Sequence, residues 1–132
     1  MRVLSRVILC CALCLSAVSV ASAQGASKSK AKAFHTEGVF GNINAGEGGD
    51  YGGMQVYLTD SDGQFYAAVT VAQGVLLPPV LVKAQVNIEA RKVEFTLPGE
   101  GGGRKFNGTV TADGLTLFEG KKKIFLKRMC ID

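Results

Sequence analysis

The residues able to do chemistry are few and scattered. His35, the only histidine, stands two positions before Glu37, a spacing that puts both side chains on one face of a strand. Such a pair can move a proton or contribute to a metal site. No nucleophile elbow and no second histidine accompany it, so the catalytic reading is the weaker one and no enzyme activity is expected. Asp60-x-Asp62-Gly63 has the opening of a calcium loop but lacks the later oxygen ligands and the closing glutamate. A hairpin turn accounts for all of its residues. With neither constellation complete, no catalytic residue, no metal and no cofactor is expected.

Two surface features are better candidates. The loop 46–53 carries five glycines together with Glu47, Asp50 and Tyr51, and reads either as a ligand- or partner-binding loop at a barrel mouth or as a flexible connection. It has no Gly-Lys-Ser/Thr and no following helix, so it is not a phosphate cradle. Lys121, Lys122 and Lys123, followed by Lys127 and Arg128, concentrate positive charge near the C-terminus. They could meet an anionic polymer or lipid headgroups, or simply guard an edge strand against aggregation. Asn107-Gly108-Thr109 matches a glycosylation sequon but falls in an expected strand.

These residues must be positioned by strands, because the apolar period is two. Met54, Val56 and Leu58 alternate with polar neighbours. So do Phe65, Ala67, Val69 and Val71, then Val82, Ala84, Val86 and Ile88, then Val93, Phe95 and Leu97. Phe106, Val110, Leu115, Leu117, Ile124 and Leu126 continue the pattern. Ser61-Asp62-Gly63, Ala112-Asp113-Gly114 and Glu119-Gly120-Lys121 read as tight turns, and 98–103 as a loose connection. Pro78-Pro79 interrupts pairing before a strand. The expected strands are 34–43, 52–59, 64–72, 80–88, 91–97, 104–110, 115–118 and 122–128. The fold class is therefore all-β: an antiparallel meander of seven to eight short strands forming a small barrel or sandwich. The aromatics Phe65, Tyr66, Phe95, Phe106 and Phe118 are expected to line its apolar faces.

Lys92-Val93-Glu94-Phe95, Phe106-Asn107-Gly108-Thr109-Val110, Asp113-Gly114-Leu115 and the closing Leu126-Lys127-Arg128 resemble hairpin units of small exported bacterial β proteins of unknown function, which look like lipocalin-type (calycin-like) barrels or half-barrels. The resemblance covers roughly the last forty residues. It implies a barrel and transfers no active site.

The N-terminus speaks to destination. A basic start containing Arg2 and Arg6, an apolar run over 7–20 and Ala21-Ser22-Ala23 form the three parts of a cleavable signal peptide. The run is too short for a comfortable membrane span. The expected organisation is a signal peptide at 1–23, a flexible leader at 24–33 and one β domain at 34–132. Localisation is secreted or periplasmic after cleavage following Ala23, with no transmembrane span in the mature chain. Of 15 Lys/Arg and 11 Asp/Glu, only Arg2 and Arg6 fall in the signal, so the mature part is nearly neutral and no nucleic-acid partner is expected. Three of the four cysteines also fall there, leaving Cys130 as a lone thiol able to link a dimer but not to bridge a monomer. Leu13 before Cys14 argues against a lipid anchor.

The function expected is a small non-enzymatic binding module that holds a small apolar ligand in a barrel or docks a partner at its rim. The alternative is a structural or interaction protein of the cell envelope with a filled core. Intact-mass analysis of protein from its native host is expected to show a chain starting at Gln24; a retained N-terminus would overturn the export reading.

Overall fold

The computed structural model describes residues 35–130, which are all β without a helix. The expected signal peptide and leader lie outside the described residues. The strands are β1 (Gly38–Gly41), β2 (Asn44–Ala45), β3 (Tyr51–Ser61), β4 (Gln64–Leu76), β5 (Val80–Asn87), β6 (Lys92–Leu97), β7 (Arg104–Val110), β8 (Gly114–Glu119) and β9 (Lys122–Met129). From β3 to β9 each strand pairs antiparallel with the next, and β1 pairs with both β9 and β3. Eight strands thus close into a small barrel, not a sandwich, with β2 outside the ring on β3.

The period-two pattern becomes an inside and an outside. Along β6, Val93, Phe95 and Leu97 are buried while Lys92, Glu94 and Thr96 are exposed. The interior is filled by side chains, as an eight-stranded barrel permits: Phe40, Phe106, Leu58, Leu115, Leu117 and Leu126 are fully buried. Each large apolar side chain so buried stabilises by about 1.5–3 kcal/mol before entropy is counted. The Phe95 and Phe106 rings stack with centroids 5.3 Å apart, an arrangement that aromatic quadrupoles favour.

The turns follow local chemistry. Between β3 and β4, Asp62 and Gly63 both take positive φ, and the Gly63 amide donates to Asp60 Oδ1 at 2.9 Å. The Asp60-x-Asp62-Gly63 motif is thereby a hairpin turn. Between β7 and β8 the turn is closed by the Thr111 amide donating to the Gly114 carbonyl at 2.7 Å. Gly114 itself belongs to β8, where a Cβ would collide with the Leu126 carbonyl. Its smallness serves close strand approach, not the turn expected for it. Gly108 is similar: a Cβ there would collide with the Thr116 carbonyl and lie 2.9 Å from the Leu117 side chain.

Other expectations need correction. The strand placed at 34–43 is two elements, because Asn42 breaks it. The Asn42 amide donates to the Met54 carbonyl at 3.0 Å, and Asn42 Oδ1 accepts from the Met54 amide at 2.8 Å. Its Nδ2 donates to the Phe125 carbonyl at 3.2 Å, so the side chain occupies a ladder position and the backbone leaves β9. Ile88 lies exposed in the β5–β6 turn instead of on the dry face. Tyr66 and Phe118 hold outward positions, since Ala67 and Leu117 take the adjacent inward ones.

The barrel end that holds the start of β1 and the end of β9 is closed by Arg128. Its guanidinium lies 4.6 Å from the Phe40 ring centroid. It donates to the carbonyls of His35 (2.8 Å), Glu37 (2.9 Å), Thr111 (3.1 Å) and Ala112 (3.2 Å). Charge-assisted donation of this kind ties the segment before β1 to the β7–β8 turn.

Gly108→Val is expected to cost about 1–3 kcal/mol or more through overpacking between β7 and β8. Gly48→Ala, where a Cβ would meet nothing nearer than Asp50 Oδ2 at 4.0 Å, should stay within about 0.5 kcal/mol of the parent. Urea denaturation measures both, and equal midpoints would refute the close-approach argument.

Candidate functional site

Strand direction gathers one set of connections at the barrel end opposite Arg128. These are the stretch 42–50 from β1 through β2 to β3, the link 77–79, the link 98–103 and the turn 120–121. Glu47, Asp50, Tyr51, Lys121, Lys122 and Lys123 are brought to this end together, although they come from the two extremes of the barrel sequence.

The end is asymmetric because β4 outlasts its pairing with β5. Val69 opposite Val80 is the last β4–β5 pair, whereas β3 and β4 remain paired as far as Tyr51 opposite Gly74. The β3–β4 hairpin, with β2 on its flank, thus continues as a flap. Between this flap and β9 lies a depression of about 400 Å³. Met54, Val71 and Ile124 give it an apolar floor, and Asn42, Gln73, Arg104, Lys122 and Lys123 give it a polar rim.

Two inward positions at the rim carry opposite charges. Arg104 on β7 donates from Nε to Glu119 Oε1 at 2.6 Å and from Nη2 to Oε2 at 2.9 Å. The guanidinium also lies 5.3 Å from the Phe106 ring centroid. The hydrogen bonds from Arg104 hold the Glu119 carboxyl below the usual glutamate range, partial burial opposes this, and the charges of Arg104 and Lys122 add to the lowering. The same pair raises Arg104. Bidentate pairing fixes the fork in place, so Arg104 and Glu119 cap the core, leaving Lys122 and Lys123 to set the sign of the rim.

Lys122 and Lys123 reach the depression; Lys121 sits in the turn beside it. Glu47 and Asp50 are exposed at the tip of the β2–β3 hairpin, and Tyr51 is exposed at the start of β3. None of these three lines the depression. Their loop forms a hairpin in which the Gly46 amide donates to the Asp50 carbonyl at 2.7 Å and the Gly49 amide to the Gly46 carbonyl at 3.0 Å. Asn42 and Arg104 were not singled out from sequence, and Met54 was read only as one of an alternating apolar set. The inward register of Phe106 extended back to 104, and that of Leu117 extended to 119, would have placed an Arg and a Glu on one rim.

The other candidates separate. Glu37 Oε1 accepts from the Asp60 amide at 2.7 Å, and His35 is exposed, its carbonyl accepting from Arg128. No hydrogen bond joins the two side chains. Asn107 is exposed on β7, and Cys130 is exposed and free. No group of three or more His, Cys, Asp or Glu suited to a metal occurs among the described residues.

No family model matches the chain, and no curated protein and no solved structure matches it.

Glu119→Gln is expected to cost about 1 kcal/mol or less near neutral pH, as befits a partly exposed pair. Because folding lowers the carboxyl's pKa, its stabilisation is present above the ordinary glutamate range and is lost as pH falls through the depressed value. Thermal midpoints of parent and variant should therefore converge in acid; a gap independent of pH would exclude the ion pair as its source.

Proposed function

We propose that this chain is an exported, non-enzymatic binding module that docks its partner at the loop end of the barrel, around the depression rimmed by Lys122 and Lys123. The observation that carries this reading is the contrast between interior and rim. The inside is occupied by fully buried side chains, with Arg128 across one end and the Arg104–Glu119 pair at the other. The rim, by contrast, offers an open hollow with an apolar floor beside two cations. Packing of this kind weighs against the variant in which an apolar ligand sits within a calycin-like barrel, and in favour of contact at the edge. A hollow of about 400 Å³ is of the size that takes a small ligand or one protruding side chain.

A structural or interaction protein of the cell envelope is the second reading, and the filled core supports it as well. The two differ in whether the partner is held loosely or built into an assembly. Secretion or periplasmic residence after cleavage following Ala23 belongs to both.

Native mass spectrometry of protein from its own host is expected to give an apo mass, and a retained lipid would overturn docking at the rim in favour of an internal ligand. A photo-crosslinker at position 122 in intact cells should yield a discrete adduct, while one at position 107, on the far outer face, should not. Adducts from neither position would sink the binding reading. A large, detergent-resistant assembly from both positions would favour the envelope role.

A further inference from the structure

A second surface lies on the flank of the barrel and runs up to the loop end. The register aligns Met129, Val39, Tyr57, Ala68 and Leu81 in one row across β9, β1, β3, β4 and β5. All five hold outward positions, and Leu81 is 66% exposed. The end of β4, the link after it and the start of β5 add Val75, Leu76, Leu77 and Val80, each exposed. Leu76 and Met129 bound a mainly apolar groove of about 490 Å³ floored by Gly41, Gln55 and Thr70. The chain has no charged residue from 63 to 82. So much contiguous aliphatic surface in water marks a site of contact.

Charge on this flank is mainly positive. Its outward strand positions include Lys83, Lys123 and Lys127, and the carboxylate beside them, Glu37 just ahead of β1, accepts from the Asp60 amide. The lysines surround the apolar row, and Tyr57 and Phe125 stand exposed among them. A second copy of the chain meeting this face by two-fold symmetry would bring three lysines from each side together with only Glu37, already engaged by the Asp60 amide, to pair them. A nucleic acid would use the lysines but would leave the leucines of the 75–81 segment in water. An anionic bilayer satisfies every part: aliphatic residues enter the acyl boundary, aromatic rings sit at headgroup level, and lysines meet phosphate groups.

We infer that the flank formed by β9, β1, β3, β4 and β5, with the exposed segment 75–81, is a docking surface for an anionic lipid bilayer. The barrel lies on the membrane by this side and inserts Leu76 and Leu77. The surface shares Lys123 and Phe125 with the depression, so it is tested apart from partner docking through Leu76, Leu77, Lys83 and Lys127, none of which lines the depression.

Flotation of the full chain with phosphatidylcholine vesicles, with and without phosphatidylglycerol, tests this. Binding is expected only when phosphatidylglycerol is present, and it should weaken with added salt. Leu76→Ser with Leu77→Ser, both at exposed positions, should leave the thermal midpoint unchanged and reduce vesicle binding at least about tenfold. Lys83→Gln and Lys127→Gln should each weaken binding roughly fivefold. Since the chain has no tryptophan, Leu77→Trp places a single reporter whose emission should shift to the blue on phosphatidylglycerol vesicles. Absence of vesicle binding by the parent, binding undiminished in the leucine variant, or an unshifted reporter would overturn the proposal. So would a concentration-dependent dimer that forms instead of vesicle binding and is abolished by the leucine variant, which would assign the surface to a second copy.

Discussion

The barrel depends on four residues. β1 is the only strand that bonds to both β9 and β3, and without it those two strands would be open edges, ready to pair with another chain. So short a strand cannot hold its place through its own ladder. Phe40 anchors it from inside, fully buried, and Arg128 grips the chain just ahead of it through the His35 and Glu37 carbonyls. Gly38 makes that grip possible, since a Cβ there would stand 2.8 Å from Arg128 Nη1. Asn42 ends the strand by substituting its side chain for a ladder partner.

Closure by β1 determines where chemistry can reside. Once the ring is complete, its inward positions are too crowded for anything but side chains, and the buried apolar set converges on Phe106 and its neighbours. Both ends place an arginine over a phenylalanine, Arg128 over Phe40 and Arg104 over Phe106. A guanidinium suits this position because its flat face covers the ring while its edges donate outward to carbonyls or a carboxylate. The proposed contact sites accordingly lie at the rim and on the outer wall.

The two ends of the barrel differ in kind. At the Arg128 end the connections are short and their polar groups locally satisfied, as at Asp60 with Gly63 and Asn87 with Ala90. The opposite end carries the long β3–β4 flap, the glycine-rich link 98–103 and the lysine turn. The flap exists because β5 begins only after Pro78-Pro79, which lack amide donors, so the last residues of β4 have no partner on that side. The same interruption leaves Val75, Leu76 and Leu77 exposed, and thus one local cause shapes both the depression and the apolar flank.

Sequence alone located β3 and β5 to β9 to within a residue or two, the turn at Asp62-Gly63 and the inward faces around Val56, Val69, Phe95 and Leu115, because alternation and turn propensity are local, but it ran β1 past the break at Asn42 and stopped β4 four residues short. It also drew notice to Lys122 and Lys123. It left barrel or sandwich undecided, since closure rests on pairing β1 with β9 across almost the whole described chain. It misplaced Ile88, Tyr66 and Phe118, because apolar residues near strand ends and on outer faces carry the same letters as core ones. Only the tertiary structure joined Arg104 to Glu119, set Arg128 over Phe40, and lined up Met129, Val39, Tyr57, Ala68 and Leu81 in one row. Each is a matter of register between strands, and register is set by the closed ring, not by any strand considered singly.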